Sequence, residues 1–144
     1  MTPAPPSEQK NPYKGSPNRP WVRLRLAAPD GSTVEREFLA DTGNPCALIL
    51  GQQDMARLKA RDGPDMNTNF GLLQGGWVQL AMPELGLTQT VLGYASDAVA
   101  AAAPASHPDF QGLVGLPLLR LTEYGGDANW FWIRAVGGGQ IAPP

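Results

Sequence analysis

The sequence predicts a mostly β, largely antiparallel domain with a few short helices, and three features carry that expectation. Residues 21–26 alternate, with Val22, Leu24 and Leu26 on one side and Arg23 and Arg25 on the other, the period-2 pattern of a half-buried strand. Pro29-Asp30-Gly31-Ser32 then reads as a turn, because Gly can take a positive φ and Asp can bond its own backbone. Beyond it, short apolar runs punctuated by Gly, Pro and Asp recur along the chain, while helical periodicity is confined to brief stretches.

Taken in order, residues 1–20 hold six prolines among Ser, Asn, Gln, Lys and Gly, a composition expected to form a flexible tail. The strand from Trp21 and a second from Thr33 to Ala40 make a hairpin. Cys46 to Leu50 is a continuously apolar run suited to a buried strand. Gln52 to Ala60 places Met55, Ala56, Leu58 and Lys59 at helical spacing, and Gly63-Pro64 should stop that helix. Asn69 to Trp77 is a Gly-rich hairpin candidate. Trp77–Met82 and Thr88–Tyr94 look like strands joined through Pro83-Glu84-Leu85-Gly86. Ala98 to Ala105 reads as a loop or one helical turn. Pro117 and Gly125 bracket a C-terminal helix, Asn129 to Ile133 forms an aromatic strand, and Gly137-Gly138-Gly139 opens a second loose tail. One domain over 21–136, flanked by tails at 1–20 and 137–144, is the expected organisation.

Composition narrows the function classes. A chain of 144 residues is sized for one domain. Eleven Lys and Arg against thirteen Asp and Glu leave a net charge of −2, which offers no electrostatic footprint for nucleic acid or an anionic membrane surface. The single cysteine, Cys46, has no partner for an internal disulfide, and Met1 to Pro6 lack a basic segment followed by an apolar one, so the cytoplasm is the expected location. No run approaches the roughly 18 apolar residues of a membrane span. One His and one Cys cannot supply a metal cluster with ordinary ligand spacing, and no dense Asp or Glu pattern replaces them. No cofactor is expected.

The chemistry-bearing stretch is Phe38-Leu39-Ala40-Asp41-Thr42-Gly43, an apolar run that delivers a carboxylate into a tight turn, followed by the apolar run Ala47-Leu48-Ile49-Leu50. A turn aspartate that merely bonds its own backbone is the commoner explanation of an isolated Asp-Thr-Gly. Two further marks argue against isolation. Gly112-Leu113-Val114-Gly115 precedes Leu116-Pro117-Leu118-Leu119-Arg120-Leu121, and the Gly-rich candidate hairpin lies between the two motifs. In these three features and their order, the chain over residues 21–136 resembles the retropepsin-like (retroviral-type) aspartic protease family, as a single-domain member.

The resemblance implies a closed, antiparallel β-barrel-type domain with a short helix near the C-terminus, working as a homodimer on an extended polypeptide. It makes Asp41, Thr42 and Gly43 the catalytic loop. Thr42 is expected to reach across the dimer, and Gly43 to let the backbone pass close to the carboxylates. Gly71, Gln74, Gly75 and Gly76 become the flap that binds substrate. Asn44-Pro45 departs from the family pattern of a small Ala or Ser after the glycine. That departure, with termini that do not look like committed strands, favours the alternative of a dimerisation or peptide-binding module without proteolysis. A third reading, a thiol hydrolase through Cys46 and His107, is weakened by the apolar surroundings of Cys46, which raise rather than lower a thiol pKa.

Overall fold

Ten strands and three short helical segments lie wholly within the described part of the computed structural model, which covers residues 7–15, 18–69, 71–98 and 110–136. They follow as β1 (Glu8–Pro12), β2 (Trp21–Ala27), β3 (Thr33–Asp41), β4 (Leu48–Leu50), α1 (Gln52–Leu58), β5 (Lys59–Thr68) and β6 (Gly71–Met82). A 3-10 turn at Pro83–Leu85 leads into β7 (Leu87–Ala95), β8 (Phe110–Gly115), α2 (Leu116–Leu119), β9 (Glu123–Gly126) and β10 (Trp130–Arg134). None of these helices is long and apolar enough to cross a membrane.

The larger sheet closes on itself. Its order is β2-β3-β8-β4-β7-β6-β5, and β6 also pairs with β2 through Arg25↔Ala81, Leu26↔Leu80 and Ala27↔Gln79, which makes a six-stranded barrel. One edge of β6 serves two partners, β5 along residues 71–78 and β2 along 79–81. Residues 71–73 have no β7 neighbour, so the β5–β6 hairpin projects past the barrel rim. At the other end of β2, Gly31 takes φ +90° and the Ser32 N–H donates to Asp30 Oδ1 at 2.9 Å, closing the expected turn.

Strand alternation sorts the central strands into two faces. Phe38, Ala40, Leu48, Leu50 and Val114 point into the barrel and join Val22, Leu24, Leu26, Val78, Leu80 and Met82 in the main core. Ile49 and Leu113 point the other way and form a second cluster with Trp21, Cys46 and Phe110, against which Leu39 packs. Both faces are thus apolar along residues 38–40, 48–50 and 113–114, which is why these stretches read as continuous hydrophobic runs rather than as alternation.

Three expectations need correction. Residues 1–20 are not a loose tail throughout: β1 pairs antiparallel with β10 from Glu8↔Arg134 to Pro12↔Trp130, and β9 completes a three-stranded sheet. The Pro-rich composition concealed this because the strand buries amides, not hydrocarbon. Gln9 and Asn11 are only 3% and 4% exposed. Gln9 accepts from the Arg23 N–H at 2.6 Å and donates to the Arg23 carbonyl at 3.0 Å, while Asn11 donates to the Trp21 carbonyl at 3.1 Å. These side chains serve the stretch of β2 that β6 does not reach, standing in for a strand neighbour.

The helix expected to run to Ala60 ends at Leu58, and Gly63-Pro64 lies inside β5 rather than stopping a helix. Pro64 is tolerated because β5 is an edge strand whose register shifts between Gly63 and Met66. Near the C-terminus α2 has only four residues; Tyr124 and Gly125 belong to β9, because the chain turns at Arg120–Thr122 and pairs with β10. The aromatic strand runs Trp130–Arg134, with Phe131 and Ile133 in the main core. Of the Ala98–Ala105 segment only Ala98 is described, and the tail at 137–144 lies outside the described residues, as do residues 1–6 and His107.

Gln9→Ala should lower the unfolding free energy by about 1–3 kcal/mol, since it strands the Arg23 N–H and carbonyl in a partly buried seam. Urea denaturation measures this, and an unchanged midpoint would contradict the role assigned to β1.

Candidate functional site

Asp41 ends β3, and the turn that follows cannot pair β3 with β4 because β8 lies between them. β8 runs parallel to β3 and antiparallel to β4, with Leu39↔Leu113, Ala40↔Val114 and Asp41↔Gly115 on one side and Leu48↔Val114 and Ile49↔Leu113 on the other. The two motifs that the sequence separates by some seventy residues therefore become neighbours, and Asp41 sits opposite Gly115. Only glycine fits there: a Cβ on Gly115 would lie 1.9 Å from the Cys46 carbonyl oxygen and 2.5 Å from that of Asn44.

The turn is closed by hydrogen bonds at each step. The Gly43 N–H donates to Asp41 Oδ1 at 3.0 Å, and the Asn44 N–H to the Asp41 carbonyl at 3.0 Å. The Cys46 N–H donates to Asn44 Oδ1 at 2.8 Å. Two bonds tie the turn to the end of β8 and the start of α2: Gly115 N–H to the Ala47 carbonyl at 3.1 Å and Leu116 N–H to the Asn44 carbonyl at 3.0 Å. Asp41 Oδ2 is left without a hydrogen-bond partner among the described residues. Asp41 is half-buried, whereas Thr42 and Gly43 are exposed.

A cleft of about 430 Å³ opens over this turn. Its floor is Ile49, Leu113 and Cys46, from the outward face of β4 and β8 and the turn before β4; Asn44 and Pro45 form one rim. The opposite wall is the β5–β6 hairpin, through Met66, Thr68, Asn69 and Leu73. Asp41 is the one carboxylate among the lining residues. Among the described residues no group of three or more His, Cys, Asp or Glu side chains could hold a metal ion.

A hairpin does lie at this point in the chain, but it is made by β5 and β6 rather than within residues 69–77, and its cleft-facing residues differ from those expected. Gly71, Gln74, Gly75 and Gly76 do not line the cleft. Gly71 is exposed beside the hairpin turn with φ +94°. Gly75 and Gly76 are inside β6, paired with Gly63 and Asp62, and a Cβ on Gly75 would lie 2.0 Å from the Pro64 carbonyl oxygen. Their absence of side chains admits the irregular β5. Gln74 and Gly75 border a separate polar recess with Lys59, Asp62, Gly63 and Asp65. Met66 and Thr68 escaped the sequence reading because β5 is charged and interrupted by Gly-Pro, while Asn69 stood at the start of the hairpin candidate but was not among its expected substrate-binding residues. Ile49 and Leu113 were legible in principle, since continuous apolar runs place every second residue on the face that Asp41 shares.

Cys46 lies in the turn before β4, not within a strand, and is 7% exposed. Burial pushes its thiol above the ordinary value of 9.0, so the fold disfavours the thiolate that nucleophilic chemistry would need.

Comparison with family models, with curated proteins and with solved structures finds no match.

Two outcomes follow. Gly115→Ala should destabilise the chain by about 1–3 kcal/mol or more through overpacking against the Cys46 and Asn44 carbonyls, read as a lowered urea midpoint; unchanged stability would contradict the close approach. Because the folded state holds the Cys46 proton more tightly than the unfolded state, its contribution is complete below pH 9.0 and is lost as the pH rises from there through the raised value of the folded state. The alkaline decline in stability should therefore be shallower in Cys46→Ala than in the wild-type chain, and identical pH profiles would contradict it.

Proposed function

We propose that this chain is a retropepsin-like aspartic endopeptidase that works as a homodimer, each subunit contributing Asp41 to one pair of carboxylates. The observation that carries the reading is the register Asp41↔Gly115, which joins the Asp-Thr-Gly turn to the Gly-Leu-Val-Gly strand beneath an apolar cleft faced by a hairpin. A backbone-binding turn aspartate would not need a second motif threaded between its flanking strands. The closed barrel and the short helix directly after Gly115 fit the same family.

The chemistry follows from pairing. Peptide hydrolysis needs a base to activate water and an acid to polarise the carbonyl, and a lone carboxylate cannot be both at once. Two carboxylates about 3 Å apart cannot both ionise, so a pair holds one proton between them. The ionised member takes a proton from a water lying between them as its oxygen attacks the scissile carbonyl carbon. The protonated member gives its proton to the carbonyl oxygen, forming a tetrahedral diol. Collapse of the diol returns a proton to the leaving nitrogen and breaks the C–N bond. Because Asp41 is the one carboxylate in the cleft among the described residues, the second is assigned to another copy, and the exposed Thr42 and Gly43 are the surface through which the turns would meet.

An extended peptide in the cleft would place side chains against Ile49, Leu113, Met66 and Leu73 and offer its backbone to the hairpin. The Asn44-Pro45 departure does not open the turn, since Asn44 Oδ1 is the acceptor that closes it onto Cys46. Proteolysis is therefore favoured over an inactive binding module.

Asp41→Asn should retain the fold, because the amide oxygen can still accept from the Gly43 N–H, and should reduce cleavage of an unstructured protein substrate by at least about 10²-fold. Turnover at the wild-type rate, followed by mass spectrometry of the fragments, would refute the aspartic reading.

A further inference from the structure

We propose that Asn44 is a specificity-determining residue, whose side-chain Nδ2 selects peptides carrying a hydrogen-bond acceptor on the side chain that lies against the Asp41 turn. The proposal rests on the peptide-cleft reading above and adds to it the chemistry of one subsite.

The orientation of the amide is fixed by its partner. The group facing Asn44 at 2.8 Å is the Cys46 N–H, a donor, so the side-chain oxygen must face it and the NH2 must point away. That NH2 has no hydrogen-bond partner among the described residues, and Asn44 lines the cleft beside Asp41. The residue is also held on both backbone sides, donating to the Asp41 carbonyl and accepting from the Leu116 N–H. Its Cβ lies against Gly115, 3.1 Å from where a Cβ there would stand. A donor fixed in this way has already lost the conformational freedom that binding would otherwise remove.

Its surroundings turn a donor into a selector. Pro45, Ile49 and Leu113 leave this part of the cleft apolar. An aliphatic substrate side chain seated there would cover the NH2 without pairing it, and the unpaired donor would oppose binding. A carbonyl or carboxylate oxygen in the same place removes that penalty. The cleft therefore discriminates between side chains of equal size, Gln against Met or Asn against Leu, through one atom.

The test is panning of a random peptide library on Asp41→Asn chains, which bind without cleaving, with Asn, Ala or Asp at position 44. With Asn44, one position of the retained peptides should be enriched in Asn, Gln, Asp and Glu by roughly five- to tenfold over matched aliphatic residues. Asn44→Ala should abolish that enrichment. Asn44→Asp keeps the acceptor for the Cys46 N–H and so keeps the turn, but presents an oxygen to the cleft, and enrichment should move to Lys and Arg. The same residue profile in all three proteins, or no retained peptides, would overturn the proposal. The endopeptidase reading fails separately: if the profiles change as described while the wild-type chain cleaves none of the retained peptides, Asn44 stands as a binding determinant and the hydrolytic role falls.

Discussion

The geometry around Asp41 depends on one close approach, the Cys46 carbonyl lying where any side chain on Gly115 would begin. With that contact made, β8 can slide between β3 and β4 and end level with Asp41. The chain leaving β3 must then cross the end of β8 to reach β4, and residues 42–47 do so as a turn bonded to itself and to the strand beneath. The carboxylate is consequently carried by three paired strands rather than by a free loop, which is the support that the proposed catalytic role would require.

The same strands divide their side chains between the barrel core and the cleft. Because strand side chains alternate, Phe38 and Ala40 are committed to the barrel core while Leu39 and Asp41 face outward, and a register slip of one residue would exchange the two sets. The main core holds the register by burying Leu48, Leu50 and Val114 on the inward side. The outward side builds a second, smaller apolar cluster, whose Cys46, Ile49 and Leu113 form the cleft floor. At the barrel seam, where β6 leaves the edge of β2, Gln9 and Asn11 supply the hydrogen bonds that a further strand would have made. The N-terminal strand thereby joins the sheet at the chain's other end to the barrel.

Legibility in the sequence followed the physics of each element. The central strands were readable because burial on both faces demands uninterrupted apolar runs, and Asp41 stood out as the polar residue that ends one of them. Hydrophobic pattern has no purchase on β1, where Gln9 and Asn11 are buried for their amides, nor on β5, a charged edge strand carrying Gly63-Pro64. The C-terminal helix bracketed by Pro117 and Gly125 ends early because Pro117 marks a helix start without fixing its length, and Gly125 is needed in β9, where a Cβ would lie 2.6 Å from the Trp132 ring. The cleft-facing residues of the hairpin were misplaced for a related reason. Gly75 and Gly76 look like a turn in sequence, but they are where β6 comes too close to Pro64 and Met55 to carry side chains.

The proposed chemistry makes a demand that the described residues of one chain do not meet, since among them the cleft holds one carboxylate and the mechanism needs two. The most direct measurement mixes wild-type chains with an increasing excess of Asp41→Asn chains under conditions where subunit exchange is independently demonstrated, and follows peptide hydrolysis per wild-type chain. Activity shared between two copies of Asp41 should fall as mixed dimers replace wild-type ones, in proportion to the shrinking fraction of wild-type homodimer. Activity per wild-type chain that stays constant while subunits exchange would mean that each chain carries a complete site, and the paired-Asp41 account would be contradicted.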